Sequence, residues 1–286
     1  MDIGIGLPAT IPNVEGRVVL DWARVADGRG FSTLGVIDRI AYGNYEPLTT
    51  LAAAAAVTER IRLTTAILLA PLRTNHTEFA KRAATIDRLS NGRLVLGLAP
   101  GGREDDFTVS DVDFHSRGRA FDALLERARA VWRGEVPPVG PTPLTPGGPP
   151  LIFGGQTDAT FRRVAQHGTG WIASGGSRVR FAQLAAAVRD AWSAAGREGS
   201  PRLLALTYFA LGANASAAAD WYLHDYYAFL GPIADQLAAS ALVTPEQIAE
   251  NIAALRDAGC DELILFPCDP DVAQVDRLAE AAGLAT

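Results

Sequence analysis

Short unbroken apolar runs alternate along this chain with longer stretches in which apolar residues recur at three- and four-residue spacing. The first pattern suits strands buried on both faces, as in a parallel sheet; the second suits amphipathic helices. Residues 3–7 read as a first strand, followed by a helix over 18–28 with Leu20, Ala23 and Val25 as its apolar positions. Residues 31–38 give a second strand, and a helix from about Pro47 to Thr58 follows it. The third strand, residues 61–69, runs into Pro71, which stops the ladder. A helical pattern begins near Asn75. Between 78 and 90, Phe79, Ala83, Ile86 and Leu89 form one stripe, and Asn91-Gly92 supplies the left-handed residue that ends it.

The rhythm continues with a fourth strand at 94–99 and a loop opened by Pro100-Gly101-Gly102-Arg103. Phe121, Leu124, Leu125, Ala128, Val131 and Trp132 mark an amphipathic helix. Residues 134–150 are rich in Pro and Gly and suit neither helix nor central strand. Because the alternation resumes unchanged afterwards, the stretch reads as a surface insertion rather than an interdomain linker. A strand at 151–154, a helix at 160–167, a strand at 170–173, a helix at 181–195 and a strand at 203–211 follow. Residues 216–229 read as a helix with an aromatic face that includes Trp221, Tyr222 and Tyr226. Thr244-Pro245-Glu246-Gln247 is a capped helix start with Ile248, Ile252 and Leu255 behind it; Gly259 ends that helix. A last strand at 262–267 and a helix at 272–282 close the chain.

Eight strands, each followed by a helical segment, predict a single (β/α)8 TIM barrel over residues 1–286, with loop insertions. A doubly wound open sheet is the alternative. It would carry a G-x-G-x-x-G turn after the first strand, whereas Gly4-Ile5-Gly6 lies inside the strand and lacks the third glycine.

Composition narrows the function. The chain has 286 residues, 48% hydrophobic and 20% charged, and a formal net charge of -6, which argues against a general nucleic-acid binder. No apolar run spans a bilayer, and Asp2 stands where a signal peptide needs basic residues. Cys260 and Cys268 have no metal or redox spacing and read as reduced core thiols of a cytoplasmic protein.

Chemistry in a barrel is expected at the strand C-terminal ends. Asp38 closes the second strand and reads either as a ligand-orienting carboxylate or as a helix cap or partner of Arg39. His76, after the third strand, could donate a proton or touch substrate, beside Asn75 as an N-cap. Gly154-Gly155-Gln156 after the fifth strand and Ser174-Gly175-Gly176 after the sixth, with Arg178 close by, suggest an anion cradle. His76, His115, His167 and His224 have no pairwise metal spacing, and Glu104-Asp105-Asp106 reads as a solvated acidic loop in preference to a Mg²⁺ site. A phosphate cradle without a catalytic dyad points to a bound cofactor that does the chemistry.

These residues resemble the luciferase-like flavin-dependent oxidoreductases, which include bacterial luciferase, alkanesulfonate monooxygenase and the coenzyme F-420-dependent reductases and dehydrogenases. The resemblance rests on Val36-Ile37-Asp38-Arg39, on Thr58-Glu59-Arg60-Ile61-Arg62-Leu63, and on the run from Ala84 to Arg93 leading into Leu96-Gly97-Leu98. It extends to Phe153-Gly154-Gly155 and on to Gly168-Thr169-Gly170-Trp171-Ile172. It implies a non-prolyl cis peptide at Ala66-Ile67 against the back of the cofactor ring, and ring or phosphate contacts at Asp38, Leu98, Gly154, Gly155, Gln156, Ser174, Gly175 and Gly176.

The activity implied is a monooxygenase that takes reduced FMN from a partner flavin reductase and oxidises a small-molecule substrate with O₂, working as a homodimer. Hydride transfer with coenzyme F-420 is the alternative, and a non-catalytic flavin-binding protein or a cofactor-free hydrolase are rivals of other classes. Arg39 stands where the deazaflavin sugar-phosphate dehydrogenases have His, Gly102 where they have a glutamate acid and Gly176 where they have a lysine, so that activity is not implied. The luciferase-type Glu-His pattern on the second strand is also absent, so light emission from an aldehyde is not implied either.

Overall fold

The computed structural model describes residues 1–174 and 178–284. Its apolar runs form strands β1 (Asp2–Gly6), β2 (Thr33–Val36), β3 (Arg62–Thr65) and β4 (Leu68–Leu69). β5 (Leu94–Ala99), β6 (Leu151–Gly154), β7 (Gly170–Ser174), β8 (Arg202–Phe209) and β9 (Glu262–Pro267) follow. Every pairing between them is parallel, and β1 sits between β2 and β9, so the sheet closes on itself. Both β3 and β4 pair with β5, so the two are one barrel strand interrupted at Ala66-Ile67, where the peptide bond is cis. The result is the expected eight-stranded (β/α)8 barrel.

Alternation along β9 puts Glu262, Ile264 and Phe266 on one face, and the strands opposite make room for them. A side chain at Gly6 would begin 2.2 Å from the Phe266 ring, and one at Gly35 would begin 2.9 Å from it. Phe266 therefore fills the barrel axis where β1 and β2 carry glycines. The N-terminal mouth is plugged by charge. The buried Glu262 carboxylate accepts from Ser32 Oγ and Thr33 Oγ1, both at 2.5 Å, from Arg62 at 3.2 Å and from Arg202 at 3.0 Å. Asp2 bonds the same two arginines at 2.9 and 2.6 Å, so two carboxylates and two guanidiniums close the bottom.

Helix starts follow the local signals. Asn75 caps the helix His76–Leu89 by accepting from Glu78 N–H, and Thr244 with Gln247 forms the capping box of the helix Pro245–Asp257. Residues 134–150 contain neither helix nor strand and lie against the helix His76–Leu89. Thr145 bonds both oxygens of the buried Asp87, at 2.8 and 2.9 Å. Four expectations are corrected. The second strand ends at Val36, which frees Asp38 from the ladder. Glu104–Thr108 is a short helix inside the expected loop. The helix expected over 216–229 ends at Tyr226, and a further helix, Ile233–Ala239, follows it. Its aromatic residues also divide: Tyr222 and Tyr226 are buried, whereas Trp221 is 55% exposed, because it lies off their i, i+4 stripe. Cys260 and Cys268 are buried free thiols. Among the described residues no helix is long and apolar enough to cross a membrane.

Removing the Glu262 carboxylate would leave two guanidiniums facing each other beside a buried void. Glu262→Ala is expected to lower unfolding free energy by about 3–5 kcal/mol, read from urea denaturation. A loss below about 1 kcal/mol would show that Asp2 alone neutralises the plug.

Candidate active site

A cavity of about 460 Å³ opens at the C-terminal end of the barrel, opposite the charged plug. Residues immediately after several strands line it: Ile37, Asp38 and Arg39 after β2, Ala66 and Ile67 between β3 and β4, and Ala99 to Arg103 at and after the end of β5. Gly154 and Gly155 come from the end of β6, Ile172 from β7, Leu206 and Tyr208 from β8. The wall is completed by Tyr226, Tyr227 and Phe229.

The floor depends on missing side chains. Thr65 approaches β5 so closely that a Cβ on Gly97 would lie 1.9 Å from the Thr65 carbonyl oxygen, while Thr65 Oγ1 donates to the Gly97 carbonyl at 2.7 Å. Ile67 then spreads over β6, where a Cβ on Gly154 would meet its Cδ1 at 2.4 Å. Gly154 thus makes room for Ile67. Gly155 has φ +132°, a conformation that favours glycine, and its carbonyl accepts from the Trp171 indole at 2.8 Å. The paired glycines first serve packing and a turn, and both then form part of the cavity wall.

Asp38 is the most constrained polar group there. Its Oδ2 accepts from Leu69 N–H and from Arg73, both at 2.8 Å, while Oδ1 is buried without a hydrogen-bond partner. Burial pushes the carboxyl above its usual range, opposed by Arg73 and the Leu69 N–H. The ion-pair reading of Asp38 holds with Arg73 as the partner in place of Arg39. Arg39 turns to the acidic triplet: its Nε bonds both oxygens of Asp106 at 3.0 and 2.8 Å, and its Nη2 bonds Asp105 at 2.7 Å. Asp106 also accepts from the backbone N–H of Ile40 and Ala41. The solvated acidic loop is therefore corrected. Two of its three carboxylates tie the segment after β2 to the helix Glu104–Thr108.

Of the residues singled out in the sequence, Asp38, Ala66, Ile67, Gly154 and Gly155 come together on this cavity. Leu98 does not reach it; its side chain is fully buried on β5, and the next residue, Ala99, faces the cavity instead. Gln156 is exposed and accepts from Arg180 at 2.9 Å. His76 is the first residue of its helix and borders a shallow surface hollow with Thr74, Asn75 and Arg127, not the main cavity. Partial burial and Arg127 hold its imidazole below its usual range. Ser174 ends β7, paired with Leu206, and Gly175 and Gly176 lie outside the described residues.

Sequence reasoning missed Arg103 and the tyrosines. Tyr208 and Tyr227 share a hydroxyl–hydroxyl bond of 2.9 Å, and Tyr222 bonds Thr10 at 2.6 Å. Burial pushes the phenols of Tyr208, Tyr222 and Tyr226 well up, so these groups stay neutral. Their signal was present as the aromatic run Tyr222, Tyr226, Tyr227 and Phe229, which reads equally well as ordinary core. Arg103 stood in the loop that opens with Pro100-Gly101-Gly102, with no local pattern to set it apart.

Known proteins share this architecture. A curated uncharacterized protein of Mycobacterium tuberculosis (strain ATCC 25618 / H37Rv) is 34% identical over 173 residues. That match spans 56% of this chain and 61% of the relative's own length. The crystal structure of the monooxygenase RslO1 from Streptomyces bottropensis superposes with a TM-score of 0.78 at 22% identity, covering 98% of this chain and 97% of that one. An F420-dependent secondary alcohol dehydrogenase, in complex with an F420-acetone adduct, superposes at 0.81 with 16% identity over 98% of this chain and 97% of its own. A family model described as luciferase-like monooxygenase matches residues 1–243. With its barrel closed and its cavity at the strand C-terminal ends, the chain belongs to the luciferase-like monooxygenase family of oxidoreductases.

Proposed function

We propose that this enzyme is a monooxygenase that binds reduced FMN in the 460 Å³ cavity and uses O₂ to oxidise a small organic substrate. A separate flavin reductase would supply the reduced cofactor. The observation that carries the reading is the orphaned Asp38 Oδ1 set among apolar walls made by Ile37, Leu69, Ile172 and Leu206. A flavin is a flat, largely apolar tricycle with one polar edge, and the partnerless Asp38 Oδ1 offers an acceptor to an N–H of that edge. Ala66 and Ile67 present a broad apolar face beside it, and Gly155 adds backbone to the cavity wall while Thr160 fills the space where its side chain would begin. When bound, the reduced flavin supplies the electrons for O₂ chemistry. The chain's own residues orient it and keep water out: Asp38 by its hydrogen bond, the Tyr208–Tyr227 pair and Phe229 by covering the cavity's far wall.

The first test is a fluorescence titration of purified protein with FMN, FMNH₂ and coenzyme F-420. Saturable binding of FMN or FMNH₂ is expected. Tight binding of coenzyme F-420 alone would overturn the FMN reading, and binding of none of the three at any concentration would leave the cavity to a cofactor-free reaction.

A second test uses Asp38. Burial raises its pKa, so on acidification the carboxylate acceptor is lost to protonation at higher pH than on an exposed carboxyl. FMN affinity of the unaltered protein is therefore expected to fall by about fivefold, the worth of one hydrogen bond, as pH is lowered through that value. Asp38→Asn keeps a carbonyl acceptor at every pH and should flatten the profile. If both proteins show the same pH dependence, Asp38 does not hold the cofactor.

A further inference from the structure

Three arginines stand at or beside the cavity, and two are neutralised. Arg39 is held by Asp105 and Asp106, and Arg73 by Asp38 at 2.8 Å with Glu46 at 3.6 Å. Arg103 lines the cavity and has no carboxylate within ion-pair distance among the described residues. It is held by aromatic faces instead. Its guanidinium carbon lies 3.7 Å from the Phe229 ring centroid, 4.6 Å from Tyr226 and 5.3 Å from Tyr227, and Nη1 donates to the Tyr226 carbonyl at 3.2 Å.

Stacking satisfies the face of a guanidinium and leaves its edge, a planar fork of N–H donors matched to carboxylate geometry. A fixed, unpaired cation in a partly desolvated cavity is costly unless an anion completes it. From this arrangement we infer that Arg103 binds an anionic oxygen of the substrate, so the enzyme takes small organic acids: a carboxylate on the Arg103 edge, with an apolar body against Tyr226, Tyr227 and Phe229. The inference rests on the monooxygenase reading for the identity of the reaction, but the anion site itself stands without it. A phosphate on the cofactor carries the same chemistry, so the experiment separates the two sources.

Binding is measured by calorimetry on cofactor-free protein with benzoate and hexanoate, each against its neutral amide, benzamide and hexanamide. At least one acid is expected to bind about tenfold or more tightly than its amide, the scale of a charge-assisted contact. Arg103→Gln should erase that preference. Arg103→Lys, which keeps the charge without the fork, should retain part of it and serves as the readable variant if the glutamine protein does not fold. Parallel titrations with FMN and riboflavin identify the source. If Arg103→Gln weakens FMN tenfold and leaves riboflavin unchanged, Arg103 holds the cofactor phosphate and the substrate assignment is overturned. Equal binding of acids and amides by the unaltered protein overturns it too. Failure of every flavin to bind would instead sink the monooxygenase reading, with the acid-over-amide preference still measurable.

Discussion

The close approach of residues 65–67 to the next two strands governs the upper half of this barrel. The Thr65 carbonyl and the Ile67 side chain occupy volume where Gly97 and Gly154 would otherwise carry side chains, with only 1.9 and 2.4 Å left for a Cβ. Two glycines on neighbouring strands therefore let one strand break, change direction and restart as Leu68–Leu69 without losing its partner. The break turns Ala66 and Ile67 toward the cavity and puts the Leu69 N–H where it can hold Asp38. Floor and acid are consequences of the same packing event.

The two mouths of the barrel handle charge in opposite ways. At the N-terminal mouth Asp2, Glu262, Arg62 and Arg202 pair with one another, so that end is a closed polar plug in which Arg202 Nε alone of the four side chains' buried polar atoms lacks a partner. At the C-terminal mouth the pairing is incomplete: Asp38 keeps one oxygen without a partner, and Arg103, bonded to the Tyr226 carbonyl, has no carboxylate partner among the described residues. Buried groups left unsatisfied are uncommon in a folded protein and gather where a ligand completes them.

Arg39 shows how an ion pair can shape a site without acting in it. By gripping Asp105 and Asp106 it draws the helix Glu104–Thr108 against the segment after β2, and that helix follows directly on Arg103. Asp106, with no exposed side-chain surface, also satisfies two backbone N–H groups of the Arg39 segment. The placement of Arg103 thus depends on an ion pair formed by its neighbours.

By itself the sequence determined the barrel and the strand ends that carry Asp38, Gly154 and Gly155, because strand and helix periodicities are local and strand exits in a parallel barrel share one face, while Ala66 and Ile67, inside the expected third strand, were singled out only by the family resemblance. It could not rank residues whose role depends on distant partners. His76 follows a strand as Asp38 does, yet the helix it begins carries it to the outer surface beside Arg127. Arg103 and Phe229 are separated by more than a hundred positions and meet only when the chain closes. Asp38 offered both Arg39 and a ligand as partners, and only tertiary packing chose Arg73 and left Oδ1 free. Pairing and desolvation are properties of the closed barrel, and they decide which of many polar residues beside the cavity keeps an atom without a protein partner.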